Sequence, residues 1–134
     1  MKYKRFHYGK LCRDKTVDRH EENGSKTTWR QLSSEEFIEH LKLKLIEEAQ
    51  EVCAAKTKEE LHEELADLIE VISTIADLSE LMNIKEKKYQ IRGGFEGRRF
   101  IITAEHPEGS AAEKYCSANS DKYPGLMQRR IPRQ

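Results

Sequence analysis

The sequence predicts an all-α protein: an antiparallel helical hairpin followed by a third helix, completed by oligomerisation and edged by one or two short strands. Three observations carry that expectation. Two apolar runs repeat at three- and four-residue spacing, Phe37-Leu41-Leu45-Ala49-Val52 and Leu61-Leu65-Leu68-Ile72-Ile75, the period of one helix face. Each run is preceded by a hydroxyl residue with Glu three positions on, Ser33 with Glu36 and Thr57 with Glu60, the pattern of a capping box. Only a few residues separate the runs, so the two helices must fold back on one another.

Along the chain, residues 1–32 are polar and basic, with a turn signal at Asn23-Gly24-Ser25. KTTWRQL, from Lys26 to Leu32, is rich in Thr and Trp and predicts one short strand. The first helix is expected from about Ser34 to Ala54, and the second from Thr57 to about Ala76. Asp77 and Glu80 then cap a third, from about Ser79 to Ile91, with Leu81, Ile84 and Ile91 on one side. Gly93-Gly94 ends it, because glycine tolerates the left-handed conformation of a helix stop. RRFIITAE, from Arg98 to Glu105, predicts a second strand, with the segment near Trp29 as a candidate partner. Positions 1–105 thus read as one domain. From 106 to 134, Pro, Gly and Ser replace apolar anchors, which predicts a loosely ordered tail.

Composition narrows the function classes. At 134 residues the apolar fraction, 37%, barely exceeds the charged fraction, 36%, so part of the core is expected to come from a second copy of the chain. A formal net charge of zero gives no global pull toward nucleic acid or an anionic membrane. The first fifteen residues are nevertheless basic, with Lys2, Lys4, Arg5, Lys10, Arg13 and Lys15 against Asp14 alone. Cys12, Cys53 and Cys116 form no CxxC pair and no zinc spacing, which reads as a reduced, intracellular chain. No apolar run approaches the ~20 residues of a membrane span, and no apolar core follows the basic N-terminus as in a signal peptide. A cytoplasmic address is the expectation. MQRRIPRQ, from Met127 to Gln134, is too short and too lightly charged to predict RNA binding.

The acids of the two long helices are oddly placed. Glu48 falls on the stripe of Leu41, Leu45 and Val52, while Glu64 and Asp67 crowd against Leu61, Leu65, Leu68 and Val71. Glu48 and Glu51 are three apart, as are Glu64 and Asp67, so each pair shares a helix face. In an antiparallel hairpin the two pairs can converge, and four mutually repelling carboxylates are best reconciled by a hard divalent cation. Mg²⁺ fits, because it takes oxygen ligands and keeps waters that leave room for substrate phosphates. Glu47, one turn from Glu51, is placed to position a water or to hold a second ion. A solvated acidic face is the alternative at this point, since such spacings are common on helices without a metal.

EEAQE, from Glu47 to Glu51, followed by ELAD, from Glu64 to Asp67, resembles the EExxE…ExxD signature of the MazG-like all-α nucleoside triphosphate pyrophosphohydrolases. YGKLCRDK, from Tyr8 to Lys15, is similar to the KLVRDK opening of the phosphoribosyl-ATP pyrophosphohydrolase-like branch. KYQIRGGF, from Lys88 to Phe95, is similar to that branch's KxxxRGGF close. Cys12 replaces a usual aliphatic residue, and Thr16-Val17 a usual Ile-Pro. The resemblance implies a MazG-like bundle completed by dimerisation or a higher homo-oligomer. It implies Glu48, Glu51, Glu64 and Asp67 as ligands for Mg²⁺, with Mn²⁺ as a substitute.

The same resemblance assigns Lys10, Arg13, Lys15, Lys88 and Arg92 to the substrate phosphates; Asp14, beside Arg13, is expected as a local partner that orients it rather than as a catalyst. Arginine grips phosphate bidentately and lysine acts as a point charge; by spacing alone a solvated basic helix and arm is the stronger reading, and the KLxRDK and KxxxRGGF matches reverse it. The implied chemistry is hydrolysis between the α- and β-phosphates, releasing a nucleoside monophosphate and pyrophosphate. Glu47 is the candidate general base, a task Glu51 or Glu48 could share. House-cleaning of the nucleotide pool is one implied role, and hydrolysis of phosphoribosyl-ATP in histidine biosynthesis another. A non-catalytic helical nucleotide sensor or interaction module is the reading of a different class. His62 and the other histidines form no ligand spacing, and Trp29 is expected as a hydrophobic anchor under the hairpin rather than as a base-stacking platform.

Overall fold

Five helices form within residues 1–126, the part of the chain that the computed structural model describes: α1 (Thr16–Glu22), α2 (Ser34–Ala54), α3 (Lys58–Ile75), α4 (Leu78–Arg92) and α5 (Ala111–Ala118). The chain divides into two compact units, one spanning Met1–Gly93 and a second beginning at Gly94. The segment MQRRIPRQ lies outside the described residues.

The starts of α2, α3 and α4 follow their caps. Ser33 closes a full box: its Oγ accepts from the Glu36 N–H at 3.2 Å, and the Glu36 carboxylate accepts from the Ser33 N–H at 3.3 Å. Thr57 accepts from the Glu60 N–H at 3.1 Å, but the Glu60 carboxylate takes the Lys56 N–H at 2.9 Å instead of the cap's own. Asp77 caps α4 through the Glu80 N–H at 3.1 Å. Gly93, at φ +74°, turns left-handed and stops α4, its N–H donating to the Tyr89 carbonyl at 2.7 Å.

Three residues, 55–57, link α2 to α3. That link forces the antiparallel hairpin, the only helix pair among the described residues with more than marginal contact. Leu45, Val52, Leu68, Val71 and Ile72 are half-buried in it, and Leu41, 4% exposed, is the one buried apolar residue among the described residues. Phe37, Leu61 and Leu65, expected on the inner stripe, remain exposed. On α4 Leu81 is half-buried, while Ile84 and Ile91 are wet. A two-helix layer has only one apolar face to bury against one other, so its remaining apolar area stays in solvent.

Two expectations are corrected. Among the described residues there is no strand, neither at 26–32 nor at 98–105; strand propensity is realised only against a neighbouring strand, and neither segment has one. Trp29 is 67% exposed and anchors nothing beneath the hairpin. Residues 14–24, for which no helix was expected, form α1 and its flanking turns. Within the segment expected as a loosely ordered tail, one short helix forms. Ser110 caps α5 by accepting from the Glu113 N–H at 3.2 Å, and Tyr115 and Tyr123 meet with ring centroids 5.8 Å apart. No helix among the described residues is long and apolar enough to cross a membrane.

Candidate metal centre

The hairpin brings Glu48 and Glu51 of α2 up to Glu64 of α3. One carboxylate oxygen from each lies within 4.8 Å of the others. Glu48 is buried, its side chain only 10% exposed, because its position on the Leu41–Leu45–Val52 stripe turns it into the seam. Glu64 is half-buried and Glu51 exposed, so the cluster is closed below and open above. Two oxygens, Glu48 Oε2 and Glu64 Oε2, are shielded from solvent and accept no hydrogen bond.

Such orphaned acceptors are costly. Burial, then the Glu51 charge, pushes the Glu48 carboxyl above its ordinary value. The carboxyl that Glu64 presents to Glu51, with some burial, pushes Glu64 up to about 7. Both shifts have the sign of carboxylates crowded without enough positive charge. The donor set, three hard carboxylate oxygens on two helices beside two shielded, unpartnered acceptors, fits a small divalent cation.

Asp67 stands at the edge of this group. Its charge acts on both Glu48 and Glu64, but it is outside the set of three, and its Oδ1 accepts from Arg13 Nη2 at 2.7 Å. Arg13 therefore pairs with Asp67 across 54 positions of sequence, not with its neighbour Asp14 as expected. Lys10 reaches Glu47, Nζ to Oε1 at 2.7 Å, and draws the Glu47 carboxyl below its ordinary value. The basic N-terminal segment thus lies along the acidic hairpin, held by two ion pairs.

Lys44 is a residue the sequence reading passed over. It contacts Glu47 at 3.1 Å and Glu48 at 3.9 Å, one turn away on the same helix, and it is the better buried partner of the two lysines. Its signal was the three- and four-residue spacing to those acids. Lys15 precedes α1 without a side-chain cap bond. Lys88 and Arg92 are exposed on the last turns of α4 and form no ion pair among the described residues. The free cysteines, Cys12 and Cys53 exposed and Cys116 half-buried, form no disulfide.

No protein-family model, no curated protein and no solved structure matches the chain.

Proposed function

We propose that the chain is a cytoplasmic, Mg²⁺-dependent nucleoside triphosphate pyrophosphohydrolase that cleaves between the α- and β-phosphates. The observation that carries this reading is the convergence of Glu48, Glu51 and Glu64 with two buried, unpartnered oxygens. Glu48, Glu51 and Glu64 would hold the ion, and Asp67 would join from the edge while sharing its carboxylate with Arg13. A bound Mg²⁺ neutralises phosphate oxygens and acidifies coordinated water.

The chain's own groups do the rest. Lys10 and Arg13 lie beside the acids, paired with Glu47 and Asp67, and with Lys15, Lys88 and Arg92 they are proposed to meet the phosphate oxygens that the ion does not reach. Lys10 has two competing partners in this scheme, Glu47 and the substrate. When its ammonium turns to phosphate, Glu47 loses the contact that most lowers its pKa and becomes a better proton acceptor for the attacking water. Lys44 keeps Glu47 in place meanwhile. The exposed apolar side chains of the hairpin and α4, among them Leu43, Ile46, Ile69 and Met82, call for a second copy of the chain as their cover.

The test is a product assay over a panel of nucleoside triphosphates that includes phosphoribosyl-ATP, with and without Mg²⁺. Pyrophosphate as the first product, from at least one substrate and only with the ion, is expected. Orthophosphate as the first product, or no turnover of any panel member, overturns the reading.

A further inference from the structure

The segment that follows the turn at Phe95–Arg98 is unusual for an exposed chain. Arg98 closes the turn at φ 53°, its N–H donating to the Phe95 carbonyl at 3.0 Å. Among the described residues, no backbone group from 99 to 106 then makes a hydrogen bond to another backbone group. Phe100, Ile101 and Ile102 are 89%, 78% and 86% exposed. A run of β-branched and aromatic residues with its ladder groups open is a template for strand addition. Neither Arg99 nor Glu105 forms an ion pair among the described residues.

The charges at the two ends of the run say what pairs with it. Two copies related by a two-fold axis place one residue opposite itself and the others opposite their mirror positions. With Ile102 on the axis, Arg99 faces Glu105 of the second copy, Ile101 faces Thr103, and Phe100 faces Ala104. Both ends of the ribbon are then charge-matched. Side chains alternate between faces, so Phe100, Ile102 and Ala104 of both copies share one apolar face, while Arg99, Ile101, Thr103 and Glu105 line the other. Moving the axis to Ile101 sets Arg99 against Thr103, and moving it to Thr103 sets Ile101 against Glu105. Neither alternative satisfies the charges.

We propose that residues 99–105 pair antiparallel with the same segment of a second copy of this chain, with Ile102 on the two-fold axis. The ribbon is a contact separate from the hairpin and does not depend on the hydrolase reading. A two-stranded ribbon is marginal alone, so apolar burial elsewhere between the two copies would raise the local concentration of the strands.

The test uses the full chain with Cys12, Cys53 and Cys116 replaced by Ser, carrying Ile102→Cys, Phe100→Cys or Ala104→Cys one at a time. Directly opposed residues sit about 4.5–5.5 Å apart between Cα atoms, within disulfide reach. The two copies of position 100, or of 104, are offset by four residues, roughly 13 Å. Under mild oxidation Ile102→Cys is expected to form covalent dimer severalfold faster than the other two. Adding Arg99→Glu should slow it severalfold, and adding Glu105→Arg as well should restore it. Equal rates at all three positions, no dimer at 102, or indifference to Arg99→Glu overturns the pairing, whatever the product assay shows.

Discussion

Replacing Glu51 by Gln should bring the titration of Glu64 down from about 7 toward the ordinary 4.5. The magnitude follows from the geometry. Glu51 is the largest cause of the Glu64 shift through direct carboxyl contact, and it acts again through its charge. The introduced amide carries no charge and can donate to the Glu64 carboxylate, so both contributions change sign or vanish. Glu48 and Asp67 still repel Glu64, and burial still acts on it, so the midpoint should stop short of 4.5. The readout is a metal-free NMR titration of side-chain carboxyl carbons. Stability should follow with a definite sign. Glu64 binds its proton more tightly folded than unfolded, so between about 4.5 and about 7 the folded state holds more protons. The Glu64 contribution to stability is therefore fully favourable at the acid end, is lost as pH rises through that window, and is flat above it. The slope should be shallower in the Glu51→Gln protein. A wild-type Glu64 midpoint near 4.5, or one near 7 that Glu51→Gln leaves in place, would mean that the carboxylates do not meet.

Mg²⁺ should raise the melting temperature saturably, by an amount equivalent to about 2.7 kcal/mol at a hundredfold excess over its Kd, and Glu48→Gln should blunt the response in differential scanning fluorimetry with EDTA as the control. Lys88→Ala and Arg92→Ala should each lower kcat/KM by roughly tenfold or more, the worth of one charge-assisted contact, with the circular dichroism of the helices unchanged; wild-type hydrolysis in both would leave them as surface charges. Ser33→Ala should destabilise the hairpin by about 1 kcal/mol through loss of the cap, measured by urea unfolding, and a midpoint matching wild type would contradict the capping geometry. Sedimentation should find a dimer or larger species, and a monomer at all concentrations would remove the need for a second copy.

The helices that could be read in advance are those whose starts and faces are both written locally. For α2, α3 and α4, a capping residue and an apolar three-four rhythm agree. In α1 the seven residues TVDRHEE carry neither a side-chain cap bond nor an apolar stripe, so nothing distinguished it from irregular chain. In α5 the signal was present: Ser110 with Glu113 is the same three-residue spacing that marks α2. It was masked by the surrounding Pro, Gly and Ser. The strands failed for the opposite reason, because their residue types state a preference whose partner no local sequence can supply. At the candidate site, Glu48 and Glu64 stood out because acids on an apolar stripe contradict the pattern around them, and Glu51 stood out only by its three-residue spacing from Glu48. The pairing of Arg13 with Asp67 was not, since it spans distant sequence, and adjacency favoured Asp14.

The three-residue link between α2 and α3 has a kinetic consequence. Glu48, Glu51, Glu64 and Asp67 all fall between positions 48 and 67, so the acids come together when the hairpin closes and not after it. Closing so short a loop costs little chain entropy, and contacts this local form early. Repulsion among the acids is then already present at the folding barrier. Anything that relieves it, a proton or a divalent ion, acts on the rate of folding and much less on the rate of unfolding. The charge that gathers in this cluster is, during folding, a brake that a proton, or the proposed ion, releases.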